Sequence, residues 1–239
     1  MPAEPLSLLD PEPLARQQAN YKKIAARLME MYGFPEWRQH LPPVDELVST
    51  ILSQNTSDTN RDRAFYALKD KYPDWETVRD APVAEVEEVI RPAGLARQKA
   101  PRIQQALQYV TAARGEISLD FLRDMSVDEA RDWLTTINGI GPKTAAIILL
   151  FAFNIPAFPV DTHVHRVTKR LGLIDDKINA EKAHAILEAI IPAAEYYPAH
   201  LNIIRHGRQI CKARKPLCEK CPLIEYCQYY QQTVKHHDE

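Results

Sequence analysis

The chain has 239 residues, of which 45% are hydrophobic, and its formal net charge at pH 7 is −2. This length suits one large or two modest domains, and the balanced charge excludes a uniformly basic molecule, so any affinity for nucleic acid must come from local basic patches. The longest apolar run is far shorter than the roughly 20 residues of a membrane span, and the acidic, proline-rich N-terminus does not resemble a secretory signal. We therefore expect a cytoplasmic protein without membrane association.

In chain order, nearly every segment has the apolar spacing of a helix, and alternating strand patterns are absent. Ser126 and Glu129 form a capping-box pattern ahead of one such segment, and Pro142 suits the first turn of another. Several glycines stand where helices are expected to end. These are Gly33, Gly94, Gly115 and Gly172. The sequence therefore predicts an all-α protein with about ten helices.

The segment INGIGPKTAAIILLFAF, residues 137–153, combines a tight turn with a helix that is apolar on every side. The apolar helix is expected at the centre of a core. Glycines at 139 and 141 permit positive φ and close approach, and the backbone N–H groups of such a turn next to a helix N-terminus form an anion site. A phosphate is a natural occupant, although a plain helix–helix connection has the same appearance.

Lys143 is the one charged residue at the start of this apolar helix. The positive end of the helix dipole and partial removal from water both disfavour an ammonium ion there. They therefore favour a neutral amine, which is a nucleophile. An ordinary surface lysine near a turn is the alternative.

Asp161 precedes the next predicted helix, in the segment FPVDTHVHRVTKRLG, residues 158–172. It is expected to cap that helix, and the same carboxylate could assist proton transfer and stabilise positive charge near Lys143. His163 and His165 diverge on a helix and make a poor metal pair. Arg166 lies on a basic helix face, which either contacts phosphates or is simply solvated.

All four cysteines lie within seventeen residues near the C-terminus, in the spacing C-x6-C-x2-C-x5-C. They are Cys211, Cys218, Cys221 and Cys227. Clustered thiols in a cytosolic protein favour a metal site, and the spacing alone leaves structural zinc and a 4Fe-4S cluster open. Residues 205–220 carry six basic residues and one acid, so Lys212 and Arg214 are candidate phosphate contacts on a loop that the metal holds, or part of a solvated surface.

The glycine-rich turn with its lysine, the VDTH sequence that follows and the cysteine spacing together resemble the endonuclease III family of helix-hairpin-helix DNA glycosylases. The resemblance extends from about residue 21 to residue 229. It implies a 4Fe-4S cluster on the four cysteines. It also implies two helical domains, residues 35–155 as a six-helix domain with the hairpin, and residues 1–34 plus 156–239 as the cluster domain, with a DNA-binding cleft between them.

The resemblance further implies a bifunctional mechanism on double-stranded DNA that contains damaged bases or abasic sites. The enzyme flips the damaged nucleotide out of the duplex, Lys143 attacks the sugar and expels the base, and the Schiff base undergoes β-elimination, with Asp161 in support. The usual substrates are oxidised pyrimidines. We expect a monomer, associated with the nucleoid if the source is bacterial.

Other matching positions are expected to contact DNA. Leu95 corresponds to the apolar wedge, and Gln54 or Asn55 to the residue that fills the gap left by the flipped base, because the sequence LSQNTSD shifts the family's glutamine by one position. The remaining expected contacts are Gly139, Ile140, Gly141, Thr144, His163, Arg166, Lys212 and Arg214.

Two alternatives stay open. The first is a monofunctional mismatch glycosylase, against which Lys143 argues because enzymes of that branch generally lack a lysine at this position. The second is a non-catalytic helix-hairpin-helix DNA-binding protein, in which Lys143 would be dispensable.

Overall fold

The computed structural model describes residues 11–234, and within that range the fold is entirely helical, without strands. The all-α prediction is therefore confirmed. Eleven α-helices occur in the described range, close to the number expected. None of its helices has the length and apolar character required to cross a membrane. The chain divides into two compact units, of which the second is the continuous segment Arg38–Ile155 and the first contains the residues on either side of it.

The second unit contains seven α-helices, one more than the six-helix domain expected from the sequence. They are α2 (Pro43–Ser53), α3 (Asp58–Lys71), α4 (Trp75–Asp80), α5 (Val83–Val89), α6 (Ala96–Arg114), α7 (Val127–Thr135) and α8 (Pro142–Phe153). Helix α8 packs against α2 and α7, and eight of its twelve residues are buried. This confirms that the apolar run forms a central core helix, because a helix that is apolar on every side must be covered on every side.

The first unit contains the N-terminal helix and the last three long helices. They are α1 (Pro11–Tyr32), α9 (Thr162–Arg170), α10 (Ala180–Ile190) and α11 (Tyr196–Gln209). Helix α11 packs against α9 and α1, and α10 packs against α1 and α9. Short 3-10 turns follow α11 at Cys218–Lys220 and Ile224–Tyr226, so the cysteine segment is an irregular loop.

The local signals of helix ends work as the sequence predicts. Ser126 and Glu129 form a complete capping box at the start of α7, and Pro142 occupies the first position of α8. Each of the four glycines expected at helix ends has a positive φ, between 67° and 79°. Such a φ is easy only for glycine, which explains why these segments stop where they do.

Candidate functional site

The turn between α7 and α8 forms the hairpin predicted from the sequence. Gly139 has φ +86°, a conformation that favours glycine, and a Cβ on it would lie 3.2 Å from the Cδ of Arg102, which would have to shift slightly. Gly139 and Gly141 are exposed, as expected of a turn that approaches a ligand. The first N–H groups of a helix lack partners inside it and remain available to an anion. The turn and the start of α8 thus form an exposed backbone surface suited to a phosphate.

Two of the predicted DNA contacts in this hairpin are core residues. Ile140 and Thr144 are only 3% and 7% exposed. The Ile140 N–H donates a hydrogen bond to the Ile137 carbonyl. Their side chains therefore stabilise the turn from within. The expected DNA contacts of these two residues stay predictions, which their backbone rather than their buried side chains would fulfil.

Lys143 is the second residue of α8, directly after Pro142. Its side chain is exposed, whereas Thr144, Ala145 and Ala146 behind it are buried. The expected partial burial of the amine is therefore wrong for the chain alone. An apolar helix predicts burial of its body, but the first turn projects beyond the core. The amine is presented to solvent beside the exposed glycine turn.

The turn between α2 and α3 contains both candidates for the gap-filling residue. The Gln54 side-chain amide donates to the Gly139 carbonyl at 3.1 Å, and its oxygen accepts a bond from Arg102 at 3.4 Å. Asn55 is exposed and adopts φ +53°, a left-handed conformation that asparagine tolerates better than most residues. The structure thus separates the two: Gln54 contacts the hairpin and Asn55 faces solvent.

Leu95 lies on an exposed turn immediately before α6. It is 48% exposed and adopts φ +50°, which is uncommon for a leucine. A large apolar side chain that is both exposed and held in a strained backbone conformation is unusual for simple packing. Its expected role as the wedge stays a prediction.

In the first unit, Asp161 is the N-cap of α9. Its Oδ1 accepts the N–H of Val164 at 2.7 Å, which confirms the predicted capping role and fixes the carboxylate at the helix N-terminus. The residue is half-buried. A carboxylate uses one oxygen for such a cap and retains a second for another partner.

Arg166 and His163 face the loop of cysteines. The Arg166 guanidinium donates to the Gly207 carbonyl at 2.9 Å and to the Cys211 carbonyl at 3.1 Å, and lies 3.2 Å from the Nδ1 of His163. A Cβ on Gly207 would lie 3.1 Å from His163 and 3.2 Å from Arg166. Arg166 therefore joins α9 to α11 and the loop, and these internal bonds favour a structural role over the expected phosphate contact.

The four cysteines line one cavity in the first unit, together with apolar and aromatic side chains. Within residues 11–234, no three His, Cys, Asp or Glu side chains converge as a single metal ion would need. Four thiols around one cavity supply one thiolate for each iron of a 4Fe-4S cluster. The all-thiol donor set and the enclosed site therefore fit an iron–sulfur cluster.

Basic and buried side chains support this cavity. Arg170 donates to the Lys212 carbonyl at 2.7 Å and approaches the Sγ of Cys211 at 3.4 Å, and the Nε2 of His206 lies 3.6 Å from the Sγ of Cys221. Burial raises the pKa of the Cys221 thiol to about 11, so ligation must displace a proton from it. Lys212 itself and Arg214 are exposed on the loop.

Sequence reasoning missed two residues of α6 that reach the same turns. Lys99 is buried and donates to main-chain carbonyls, and Arg102 contacts Gln54 and packs against Gly139. The signal was present as two basic residues at helical spacing in ARQKAPRI, directly after Leu95. Their acceptors are distant in sequence, so their roles were not evident from it.

The comparisons with known proteins decide the family. Residues 48–193 match the HhH-GPD superfamily base excision DNA repair protein family, and residues 211–227 match the iron-sulfur binding domain of endonuclease III. The chain is 33% identical over 191 residues to endonuclease III of Sulfolobus acidocaldarius, covering 79% of this chain and 83% of the relative. It is 37% identical over 222 residues to endonuclease III of a Synechocystis species, and this match covers 90% of this chain and 96% of the relative.

This chain belongs to the endonuclease III family. Among solved structures, the protein chain of a non-covalent endonuclease III–DNA complex is 30% identical to this chain and has a TM-score of 0.78. The match covers 91% of this chain and 98% of the chain in that structure. A thermostable thymine-DNA glycosylase has the same fold, with a TM-score of 0.74 and 21% identity. Members of the endonuclease III family are base excision repair DNA glycosylases, and the cysteine loop binds the family's iron–sulfur cluster, as the sequence predicted.

Proposed function

We propose that this protein is a bifunctional DNA glycosylase and AP lyase that removes oxidised pyrimidines from duplex DNA. The observation that carries the proposal is the position of Lys143, an exposed amine in the first turn of the buried helix α8, next to the glycine turn. A solved relative, 30% identical, is described as a trapped endonuclease III–DNA covalent intermediate. A covalent step between protein and DNA is therefore supported for the family.

In the proposed reaction, the neutral Nζ of Lys143 attacks C1′ of the damaged nucleotide. The bond between C1′ and the base breaks, its electron pair leaves with the base, and a proton is supplied to the departing base. Loss of the amine proton and opening of the sugar ring give a protonated Schiff base between Nζ and C1′. Removal of a proton from C2′ then expels the 3′-phosphate and cuts the strand, and water releases the enzyme.

The amine must lose its proton before it attacks. Because Lys143 is exposed in the protein alone, removal from water must come from the bound DNA, whose flipped nucleotide covers the amine. The nucleophile would thus be activated only on a bound lesion.

Asp161 is proposed to assist this chemistry. Its cap bond to the Val164 N–H fixes the orientation of the carboxylate, as a positioned acid or base requires. The ionised group would stabilise the positive charge that develops on the sugar, and it would accept the proton that the attacking amine loses. The cap and the catalytic role use the same side chain through different oxygens.

The other proposed DNA contacts are assigned according to which side chains are exposed. Asn55 is exposed whereas Gln54 is bonded to the hairpin, so we propose that Asn55 fills the gap left by the flipped nucleotide and that Leu95 enters beside it. The exposed Lys212 and Arg214 would neutralise phosphates. The iron–sulfur cluster, held by the four cysteines, would keep this basic loop in shape. We propose that the enzyme acts as a monomer.

Borohydride trapping tests the proposal. The protein is mixed with a duplex that contains an abasic site, or an oxidised pyrimidine, and is then reduced. The proposal predicts a covalent protein–DNA adduct with the wild type and none with Lys143→Ala. Lys71→Ala is the matched control, because this lysine is exposed in the same unit, where it pairs with the surface residue Glu85 and lies over the ring of its neighbour Tyr72. It should form the adduct normally.

The other functions give different outcomes in the same assay. Base release without an adduct would identify a monofunctional glycosylase. Binding to the duplex without base release and without an adduct would identify a non-catalytic DNA-binding protein. Either result would contradict the proposed Schiff base.

A further inference from the structure

Lys99 is a fully buried lysine in the first turn of α6. It is 1% exposed, and its Nζ donates to the Leu52 carbonyl at 2.7 Å and to the Ala93 carbonyl at 2.8 Å. Among the residues that the structure describes, no carboxylate forms an ion pair with it. Burial lowers the pKa of Lys99 to about 8, so the ammonium form, with three donors, still predominates at pH 7. A buried cation whose hydrogen bonds go to main-chain carbonyls holds backbone in place.

The two carbonyls belong to two different turns. Leu52 lies in the last turn of α2, just ahead of the exposed Asn55, and Ala93 ends a 3-10 turn just ahead of the exposed Leu95. Carbonyls at helix ends lack partners within the helix and need an external donor when they are buried. One ammonium group supplies that donor to both turns, and so fixes them relative to each other.

Both turns hold a non-glycine residue in a left-handed conformation, φ +53° at Asn55 and φ +50° at Leu95. Such conformations persist only where the surrounding structure imposes them. Arg102, one helical turn after Lys99, adds a bond to Gln54, which in turn donates to the Gly139 carbonyl. The start of α6 therefore connects the two turns with the hairpin through a continuous series of hydrogen bonds.

We propose that Lys99 is a positioning residue that joins the turns of Asn55 and Leu95 into one rigid unit, so that both side chains enter the DNA together when a nucleotide is flipped. This inference rests on the proposed function, which gives these two residues their place in the duplex. Without the ammonium group the backbone at each turn relaxes from its left-handed conformation, and each side chain must be ordered separately on binding. A variant without the ammonium group therefore loses affinity for DNA that contains the lesion and keeps its affinity for undamaged DNA.

A double-mutant cycle tests the inference. Lys99→Met keeps an unbranched apolar side chain but removes the donors, Leu95→Ala removes the wedge, and the two are combined. The probe is a duplex with a tetrahydrofuran abasic analogue, which is not cleaved, placed opposite 2-aminopurine, whose fluorescence reports unstacking. Affinity is measured for this duplex and for an undamaged one. Circular dichroism checks folding, and Lys71→Met serves as the surface control.

Lys99→Met should lose about ten-fold in preference for the abasic duplex, with a smaller 2-aminopurine response and unchanged affinity for undamaged DNA. The further loss on adding Leu95→Ala should be clearly smaller than the loss from Leu95→Ala in the wild type, because both act through one unit. If Lys99→Met does not fold, Lys99→Gln, which retains amide donors, is expected to give an intermediate loss with the same non-additivity.

Full additivity, or an unchanged abasic preference in a folded Lys99 variant, would overturn the inference. A failure of the proposed function is distinguishable, because it would remove the borohydride adduct of the wild type itself. A wild type that forms the adduct, together with a Lys99 variant that flips and binds normally, contradicts only the role of Lys99.

Discussion

Replacing Asp161 separates its structural role from its proposed chemical role. Asparagine is as good an N-cap as aspartate, so Asp161→Asn should keep the bond to the Val164 N–H that now measures 2.7 Å, while it removes the negative charge. Asp161→Ala removes both the cap bond and the negative charge. The cost of losing such a cap is about 1 kcal/mol, which corresponds to a fall of about 2–4 °C in melting temperature for a chain of this size.

The two variants should therefore differ in stability but not in chemistry. Asp161→Asn should melt within about 1 °C of the wild type, since its cap is retained. Both variants should release the base about 100-fold more slowly or worse, in line with the loss of a positioned acid–base group. The assay is single-turnover base release from an oxidised-pyrimidine duplex, with melting followed by circular dichroism.

Asn179 supplies a matched control in the same unit. It caps α10 through a bond from the Lys182 N–H at 2.9 Å, and the proposed reaction does not involve it. Asn179→Ala should lose a similar amount of stability as Asp161→Ala and keep its base-release rate. A wild-type rate in Asp161→Asn would refute the reasoning, because it would show that the cap, and not the charge, is what the reaction needs.

Three further predictions concern the hairpin, the basic loop and pH. Gly139→Ala should destabilise the protein by about 1–2 kcal/mol in urea unfolding, since φ +86° is unfavourable for alanine and the neighbouring arginine must move. Lys212→Ala should lower the slope of log affinity for DNA against log salt concentration by about 1, as expected when one phosphate contact is lost. Arg166→Met should leave that slope unchanged, and it should accelerate loss of the cluster absorbance at about 400 nm because its bonds to the cysteine loop are lost. The hydrogen bond to Glu46 raises the pKa of His40 above its unfolded value, so its stabilisation is complete below about pH 6.5 and is lost as pH rises through the folded value. His40→Gln should therefore flatten the fall in stability, measured by urea unfolding, as pH rises above about 6.5.

The features that the sequence predicted well depend on neighbouring residues. The capping box at Ser126 and Glu129, the first-turn Pro142 and the cap at Asp161 each involve groups three or fewer positions apart, so their geometry follows from the helix itself. The central position of α8 follows from its composition in the same way. The cysteine spacing indicated a metal site because all four ligands lie within one short loop, and the family resemblance implied the iron–sulfur cluster.

The features that the sequence did not predict depend on distant partners. The sequence indicated that Arg166 lies on a basic helix face. Its acceptors are the carbonyls of Gly207 and Cys211, which only the packing of α9 on α11 brings close. Lys99 likewise donates to the Leu52 carbonyl, which lies 47 positions earlier in the chain. The exposure of Lys143 was missed because the apolar run describes the body of α8 and says little about its first residues.

The most direct measurement of the central claim is peptide mapping of the borohydride-reduced adduct by mass spectrometry. The reduced protein–DNA complex is digested with nuclease and protease, and the modified residue is identified by the mass of the deoxyribose remnant. We predict that the remnant lies on Lys143, with Lys99 and the other lysines unmodified. A remnant on another amine, with Lys143 intact, would contradict the assignment of the nucleophile.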